Sequence, residues 1–587
     1  MEEPGGSACI SERPGCSGQI IFLIIIHRYF QNRGCKSGKF VLYYEIYKGM
    51  DSSAGENKTG SAPQNREKRI ISMKNGLNRM LAILLCLCMT LPLALTGCSQ
   101  GTENAADSTE GDAGAASSAG DTQVTTPVEE EEEYVDHRFD DYNYDGRAFR
   151  IQSSADSTDA TNANEFIEGS GMLNGEIVND AVFERNAKVE ELLNIKLEFT
   201  EANYTYSNAE SSIRTLIMAG DDLYDLIIND DRSLISLSDE NIFYNLARHD
   251  ENFDYNQPYW YTDTMEDLVL VPGHSYVMAG DFFLDCLASA HCLFYNKQLC
   301  DDAYGDPEYL DNIVLEGGWT YEKMTQTLNE NYVDLNGDGV RQEGDQFGMY
   351  AHDYWGCLIA FVGSAGIDFI DRSGDEPVIS FNNDRSVAYA EALNKLYRCN
   401  GNFVGIKESA DMNMGLRNLF GNKLSLICLY QRLNDLSKMR EFEFDVGPIP
   451  YPKLYESDKY YTSIHDTTEM GAIPVTSPDI DFDTVCIEVL NRETSKSVIP
   501  VYYDQALKVK YSADTKVSQM IDLIHDNFGS SFVLCYNNAL GDSMIQMFTD
   551  LVSADSTDFA SAYKRKEKIL KKTCEKMVNS ILANDEG

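Results

Sequence analysis

The apolar residues after about residue 146 alternate between the period of strands and the period of helices. Period-two alternation predicts strands at 148–152 and 195–199, and a short apolar run predicts a third at 224–228. Helical spacing predicts helices at 178–193 and 208–218. Strands that alternate with helices in this way form a parallel α/β sheet. Ligands bind such sheets at the carboxyl ends of the strands, so we expect a binding site at that edge.

Polar residues follow two of the predicted strands. Asp230 and Asp231 follow the third strand, while Tyr430 and Arg432 follow a later apolar run. Asp281 comes after another apolar segment. Because these residues stand where strands end, we interpret all five as candidate ligand-binding residues.

Two aromatic segments suggest what the ligand is. Trp260 lies in the segment 258–261, and Tyr354 and Trp355 lie in 352–356, each beside acidic or glycine residues. Aromatic faces with a few placed polar groups are typical of ligand pockets, and sugars present C–H faces that stack on such rings. We therefore add these three residues to the candidate site, while burial in the core stays the alternative. Trp319 opens a predicted helix and is assigned to the core.

The segment 73–97 has the features of a secretory signal. Lys74 and Arg79 precede the apolar run 81–89, and small residues lead to Cys98. The ending resembles the bacterial lipobox, in which the cysteine is lipidated after cleavage on its amino side. A membrane-spanning helix is the alternative, but the run is short and Pro92 interrupts it. We interpret 1–72 as upstream of a start at Met73.

The stretch that follows, 98–133, is a tether. After Cys98 it contains no aromatic residue, Lys or Arg, and it ends in five consecutive Glu. Such a composition cannot bury enough apolar surface to order itself. We expect a disordered acidic tether that links a lipid-modified cysteine to the folded part.

Charge and cysteine content exclude several classes of protein. The formal net charge is -46 at pH 7, which is unsuited to binding nucleic acid. Nine cysteines follow residue 280, at irregular spacing and without a CxxC pair. This pattern favours reduced thiols in the core over a disulfide framework or a zinc site.

An acidic loop matches the pattern of a calcium site. In Asp334–Asp345, oxygen ligands recur at alternate positions before a Gly. The predicted ligands are Asp334, Asn336, Asp338, the carbonyl of Val340, and Asp345. Asp345 stands where a longer Glu is usual. Calcium would pin a surface loop, and a metal-free Asn-Gly, Asp-Gly turn is the alternative.

A predicted helix at 559–582 is basic in an otherwise acidic chain. Seven Lys and Arg residues fall between 564 and 576. A partner-docking face is one interpretation, and a solvated face paired with neighbouring carboxylates is the other.

Several segments, taken in order, resemble the extracellular solute-binding proteins of ABC importers, in particular the carbohydrate-binding family. They are Asn194-Ile195-Lys196-Leu197 with Tyr224-Asp225-Leu226-Ile227, Leu293-Phe294-Tyr295-Asn296-Lys297, Gly318-Trp319-Thr320-Tyr321-Glu322, Asp345-Gln346-Phe347-Gly348, Gly447-Pro448-Ile449-Pro450-Tyr451-Pro452-Lys453, Gly471-Ala472-Ile473-Pro474 and 489–511. The resemblance covers nearly all of 146–587.

This resemblance implies a two-lobe α/β fold of the periplasmic-binding-protein type II, with a hinge between the lobes. The first lobe would be 146–292 plus 420–475, and the second 293–419 plus 476–587. The strand at 293–297 would cross the hinge, and the one at 471–474 would return to the second lobe.

The implied function is capture of a solute, a sugar or oligosaccharide, for delivery to ABC permease subunits at the extracytoplasmic face of the membrane. We expect a monomer that binds no nucleic acid and is not an enzyme. A surface glycan-binding adhesin and a glycan-acting enzyme using two carboxylates stay open as alternatives.

The lipobox interpretation yields a direct prediction. The change Cys98→Ser should abolish lipid attachment and leave a precursor or a released protein, because Cys98 carries the only thiol at the cleavage site. Metabolic labelling with a radiolabelled fatty acid, followed by fractionation, measures this. Lipid still attached to the Cys98→Ser protein would contradict the interpretation.

Overall fold

Two β-sheets organise the part of the chain that the computed structural model describes. The described residues are 138–139, 141–154, 163–202, 204, 207–248, 251–352, 355–374, 376–405, 412–465, 467–503, 515–529 and 532–584, all within one unit that spans 130–587. The predicted signal (73–97), Cys98 and the tether (98–133) lie outside the described residues.

The described strands are β1 (Arg147–Ser154), β2 (Ile195–Ala202), β3 (Leu226–Asp230), β4 (His291–Asn296), β5 (Phe347–Ala351), β6 (Ile370–Asp371), β7 (Val378–Ile379), β8 (Asn402–Val404), β9 (Ser425–Arg432), β10 (Val446–Ile449) and β11 (Glu469–Ala472).

The described helices are α1 (Ala163–Ile167), α2 (Ile177–Leu193), α3 (Ala209–Met218), α4 (Asp231–Leu237), α5 (Thr262–Asp267), α6 (Asp285–Ala288), α7 (Lys297–Tyr304), α8 (Tyr309–Leu315), α9 (Tyr321–Glu330), α10 (Trp355–Gly363), α11 (Asp384–Arg398), α12 (Met412–Gly421), α13 (Ile480–Ser497), α14 (Thr515–His525), α15 (Phe532–Ala539), α16 (Met544–Ser553) and α17 (Phe559–Ala583).

The first sheet has the order β11-β3-β1-β2. β1 pairs in parallel with both β2 and β3, as the alternating pattern predicts. β11 adds antiparallel to β3, although the resemblance placed the strand at 471–474 on its way to the second lobe. The carboxyl ends of β1 and β3 therefore share one edge, which is where the sequence predicts a ligand site.

The second sheet has the order β10-β4-β9-β5-β8 and is mixed. The strand predicted to cross the hinge is β4, whose neighbours β9 and β10 both pair with it antiparallel. Beside this sheet Trp319 is fully buried, as expected, and its Nε1 donates to the carbonyl of Pro450 at 3.0 Å. The next residue, Thr320, caps α9 by accepting from the Lys323 amide. The prediction of two α/β lobes is thus confirmed.

The lobe boundaries differ from the expected ones. β9 and β10, expected in the first lobe, pair within the second sheet. Helix α13, expected in the second lobe, packs on α2 of the first lobe, where Arg185 Nη1 donates to Thr494 Oγ1 at 2.9 Å. Because the chain crosses between the lobes more than once, sequence position alone could not assign these elements.

Helix α13 is fixed in the first lobe by a buried carboxylate. The side chain of Glu488 is 0% exposed and accepts from Arg138 Nη2, Tyr259 Oη and Trp260 Nε1 at 2.5, 2.7 and 2.8 Å. A buried carboxylate is stable only when its oxygens are satisfied in this way. Glu488 therefore links three chain segments that are far apart in sequence.

The nine described cysteines are free, and all but the half-buried Cys399 are buried. Burial raises the pKa of the Cys286 and Cys292 thiols well above the ordinary value, so these thiols stay protonated. Their predicted place in the core is confirmed. Among the described helices, none combines the length and the apolar character needed to cross a membrane.

Candidate functional site

Backbone hydrogen bonds bring three segments together at the carboxyl edge of the first sheet. The amide of Asp231 donates to the carbonyl of Thr468, and the Thr468 amide donates to the carbonyl of His465. The His465 amide in turn donates to Ser289, just before β4. The end of β9 joins them, since the Leu433 amide donates to the carbonyl of Ala290 at 2.9 Å. Residues from both sheets therefore meet in one place.

A bulge in β9 sets the direction of its last residues. The register with β4 shifts between Cys292 and Phe294, and Tyr430 adopts a φ of 59°, in the left-handed region. A tyrosine with positive φ inside a strand is strained, and such strain clusters at ligand sites. The half-buried ring of Tyr430 lies 6.4 Å from the His465 ring, centroid to centroid.

Beyond the bulge, Arg432 and Asp435 hold the end of β9 in place. The Arg432 amide donates to Asp435 Oδ2 at 2.9 Å, while Lys438 Nζ lies 2.7 Å from the other carboxylate oxygen. Burial raises the pKa of Asp435, but Arg432 and Lys438 outweigh it and the pKa is lowered. Asp435 is thus an anion that positions the buried Arg432.

Two histidines occupy the centre of the cluster. Their ring centroids lie 5.3 Å apart, and His291 Nδ1 lies 3.0 Å from Ser463 Oγ. Burial, with His465 and Arg432 nearby, lowers the pKa of His291 well below its ordinary value. Burial and the guanidinium groups of Arg432 and Arg232 do the same to the pKa of His465. Both rings are neutral at pH 7, so each offers one donor and one acceptor.

Four buried polar groups near this edge contain atoms without a hydrogen-bond partner among the described residues. They are both amide atoms of Gln152 in β1, Nδ2 of Asn229 in β3, Nε2 of His291 and Oγ1 of Thr468. Gln152 pairs with Ile227, so its side chain leaves the sheet on the same face as that of Asn229. Buried polar atoms of this kind normally bond to water or to a ligand.

The two acidic candidates after β3 have different roles. Asp230 caps α4 by accepting from the Ser233 amide at 2.9 Å, and its Oδ1 lies 3.9 Å from Arg232 Nε. Asp231 is 0% exposed and accepts from the Cys535 thiol at 3.1 Å. Asp231 therefore joins α4 to α15 in the interior, whereas the ligand role expected for Asp230 stays a prediction.

Trp260 and Asp281 are buried in the first lobe. Trp260 is 3% exposed, its ring meets Phe253 and Tyr255 edge-on, and its Nε1 binds Glu488. The Asp281 carboxylate accepts from Tyr261 Oη at 2.9 Å. The expected ligand roles of both residues are corrected, because Trp260 bonds Glu488 and Asp281 bonds Tyr261 in the core.

The remaining aromatic candidates stand after β5. Tyr354 lies outside the described residues, and only the backbone of Trp355 is described, as the first residue of α10. α10 begins shortly after the end of β5, a strand that pairs with β9 in the second sheet. Their ligand roles stay predictions.

The acidic loop folds back on its own backbone. Asp334 accepts from the amides of Gly337 and Gly339, Asn336 from that of Asp338, and Asp338 from that of Val340. Asp345 is buried, and its carboxylate faces the amides of Leu335 and Gln342. Over the described part of the chain, no three or more His, Cys, Asp or Glu side chains are grouped so as to hold a metal ion.

Sequence reasoning missed four members of the cluster. They are Arg232, Asp285, His291 and His465, and none of them follows a motif. The Asp285 carboxylate accepts from the Glu469 amide and the Ser289 hydroxyl, and Asp285 and His465 lie between strands rather than at strand ends. A signal was present for the histidines, because the chain has only eight and His465 stands in the polar segment between β10 and β11.

No family model and no curated relative matches this chain. Solved structures with a similar course include a maltose/maltodextrin-binding domain from Bdellovibrio bacteriovorus bound to maltotriose, with 14% identity and a TM-score of 0.44, covering 74% of this chain and 100% of that one. A cyclic alpha-maltosyl-1,6-maltose binding protein from Arthrobacter globiformis has 12% identity and a TM-score of 0.48, covering 73% and 100%.

An ABC substrate-binding protein from Listeria monocytogenes in complex with cycloalternan has 12% identity and a TM-score of 0.44, covering 74% and 99%. The fold and the site described above rest on the strand order and contacts of this chain itself.

The buried carboxyl of Asp285 gives the site a pH signature. It is 3% exposed, and burial raises its pKa from 3.8 to about 6 although the Glu469 amide donates to it. The folded state therefore binds this proton more tightly than the unfolded state, so the free energy of unfolding falls as pH rises from about 4 to about 6. Asp285→Asn should remove up to about 1.4 kcal/mol per pH unit of this slope.

Urea titrations at several pH values in this window measure the slope. Asp301→Asn, an exposed aspartate on α7, is the matched control and should leave it unchanged. Identical slopes for Asp285→Asn and the unsubstituted chain would contradict the assignment.

Proposed function

We propose that this chain is a lipid-anchored, extracytoplasmic substrate-binding protein that captures a sugar or oligosaccharide between its lobes and delivers it to an ABC permease. The observation that carries the proposal is the set of polar groups where the two sheets meet, with buried atoms of Gln152, Asn229, His291 and Thr468 that lack a partner among the described residues. The sequence resemblance supports the same conclusion independently.

The chemistry of the cluster favours a neutral, hydroxyl-rich ligand. The atoms without a partner among the described residues are neutral: Nε2 of His291, Nδ2 of Asn229, Oγ1 of Thr468 and both amide atoms of Gln152. Together they can donate to and accept from hydroxyl groups. The half-buried ring of Tyr430 offers a surface for the C–H face of a sugar. Asp230 and Arg432 add the charged acceptor and donor that fix orientation.

The position of the cluster suggests how binding is transmitted. Gln152 and Asn229 belong to the first sheet, whereas Tyr430 and His291 belong to the second. A ligand that contacts both favours the conformation in which the lobes are closest. We infer that closure is the state the permease recognises, and that the binding protein acts as a monomer.

The proposed function makes a prediction about affinity. Thermal-shift screening against mono- and oligosaccharides should identify a ligand, because binding raises stability by RT ln(1 + [L]/Kd). Tyr430→Ala should then weaken binding by about 1–3 kcal/mol, the scale for burying one large side chain, as measured by calorimetry. Tyr430→Phe keeps the ring and should bind nearly normally, and Tyr455→Ala, an exposed tyrosine of the second lobe, is the control.

Recovery of the bound glycan separates a receptor from an enzyme. An intact glycan after prolonged incubation, with a smaller radius of gyration in solution scattering, supports the receptor. A cleaved glycan, or an affinity that Tyr430→Ala leaves unchanged, would refute the proposal.

We also propose that the loop Asp334–Asp345 binds calcium as a structural ion. The residues that would hold it are Asp334, Asn336, Asp338, the Val340 carbonyl and Asp345. The loop carboxylates accept backbone N–H groups, and each keeps further lone pairs for a cation. The bound ion would supply charge that holds the acidic loop together beside β5.

Excess chelator should therefore lower the melting temperature, and Asp338→Ala should abolish that sensitivity. Differential scanning calorimetry measures both effects. Asp371→Ala removes an exposed aspartate whose carboxylate also accepts a turn amide, so it should stay sensitive to chelator. A melting curve of the unsubstituted chain that chelator does not move would reduce the loop to a turn.

A further inference from the structure

The last described helix, α17, is basic, whereas the chain as a whole is acidic. It carries seven Lys and Arg residues against two Glu, an excess of five positive charges in a chain whose net charge is -46. The cations are Lys564, Arg565, Lys566, Lys568, Lys571, Lys572 and Lys576.

Packing fixes which side of α17 faces outward. Its apolar residues are buried, and near its start the Phe559 and Tyr563 rings contact Phe381 of the second lobe, while Phe559 also stacks on Phe548. The buried set is Phe559, Ala562, Tyr563, Leu570, Cys574, Met577, Val578 and Ile581. All seven cations are exposed. The basic side is therefore a permanent surface of the folded protein.

Local carboxylates neutralise only part of this surface. Glu567 is bonded by Lys564 at 3.0 Å and by Lys571 at 2.9 Å. In the ranges that the structure describes, Arg565, Lys568 and Lys572 form no ion pair within 4.0 Å. The other nearby carboxylates are Glu575, which acts on Lys571, and Asp558 and Asp239, which act on Arg565 and Lys576 at the two ends of the row. The interpretation of α17 as a fully paired, solvated face therefore does not account for its centre.

Four of the seven cations form one row. At about 100° per residue, Arg565, Lys568, Lys572 and Lys576 fall within a sector of about 80° and extend over about 16 Å of helix. We call these four residues the basic stripe. Ile569, 54% exposed, falls beside them near the middle of the row. A straight basic face with an exposed apolar side chain at its centre suits a planar anionic interface.

We propose that the basic stripe binds the anionic headgroups of the membrane that carries the lipid anchor. Near such a surface each Lys or Arg contributes favourably, and the effect decays within a Debye length. Contact at the stripe would oppose the repulsion that the acidic remainder of the chain experiences there. The cellular setting rests on the proposed anchor, but the binding chemistry does not.

The test uses the chain carrying Cys98→Ser, so that no lipid holds it to the membrane. Sedimentation with vesicles of phosphatidylglycerol and phosphatidylcholine, against pure phosphatidylcholine at low salt, measures binding. The triple variant Arg565→Gln, Lys568→Gln, Lys572→Gln should lower the partition coefficient roughly 100-fold, at about fivefold per cation. The control Lys188→Gln, Lys196→Gln, Lys395→Gln removes the same charge elsewhere and should bind as before.

Binding that requires phosphatidylglycerol, weakens with salt and is lost only in the stripe variant supports the proposal. Equal binding by both triple variants would overturn it, because general charge would then be responsible. Failure of the unsubstituted stripe to bind anionic vesicles would also overturn it and favour an acidic protein partner. Neither result depends on a glycan ligand or on lipidation, so the proposed function stands or falls separately.

Discussion

The architecture depends on the return of α13 to the first lobe, and that return depends on a buried negative charge. Glu488 is 0% exposed and receives hydrogen bonds from Arg138, Tyr259 and Trp260. Removing one partner of such a group typically costs 3–5 kcal/mol, on the order of a large fraction of domain stability. Because α13 comes after both sheets in sequence, this contact joins a late segment of the chain to the first of the described residues. The lobes are therefore interleaved, and neither is a continuous piece of sequence.

Interleaving explains where the polar cluster forms. Where the chain runs from one sheet to the other, its backbone N–H and C=O groups need hydrogen-bond partners. Asp231, Thr468, His465 and Ser289 supply such partners to one another in sequence. These bonded segments also bring side chains from both sheets close together. A ligand bound there would contact elements of both lobes at once, which is the requirement for coupling binding to lobe movement.

The cluster also shows how burial sets the chemistry of its polar groups. His291 and His465 lie near two guanidinium groups in a poorly solvated place, and both effects disfavour the imidazolium form. Asp285 is disfavoured as an anion by the same lack of water, which raises its pKa to about 6. Asp435 differs from Asp285, because Arg432 and Lys438 beside it lower its pKa and keep it anionic. Neutral donors and acceptors thus dominate the cluster.

The sequence by itself determined the local elements and indicated the sheet edge at which the polar cluster forms. The predicted strands at 148–152 and 195–199 and the helices at 178–193 and 559–582 are present as β1, β2, α2 and α17, because periodicity reports which face of each element is buried. The tertiary structure alone decided which residues share the site. His291 and Ser463 are 172 positions apart, and no local pattern encodes their contact. Trp260 resembles a ligand residue in sequence, but burial beside Glu488 makes it part of the core, since only the packed chain decides which polar groups satisfy one another.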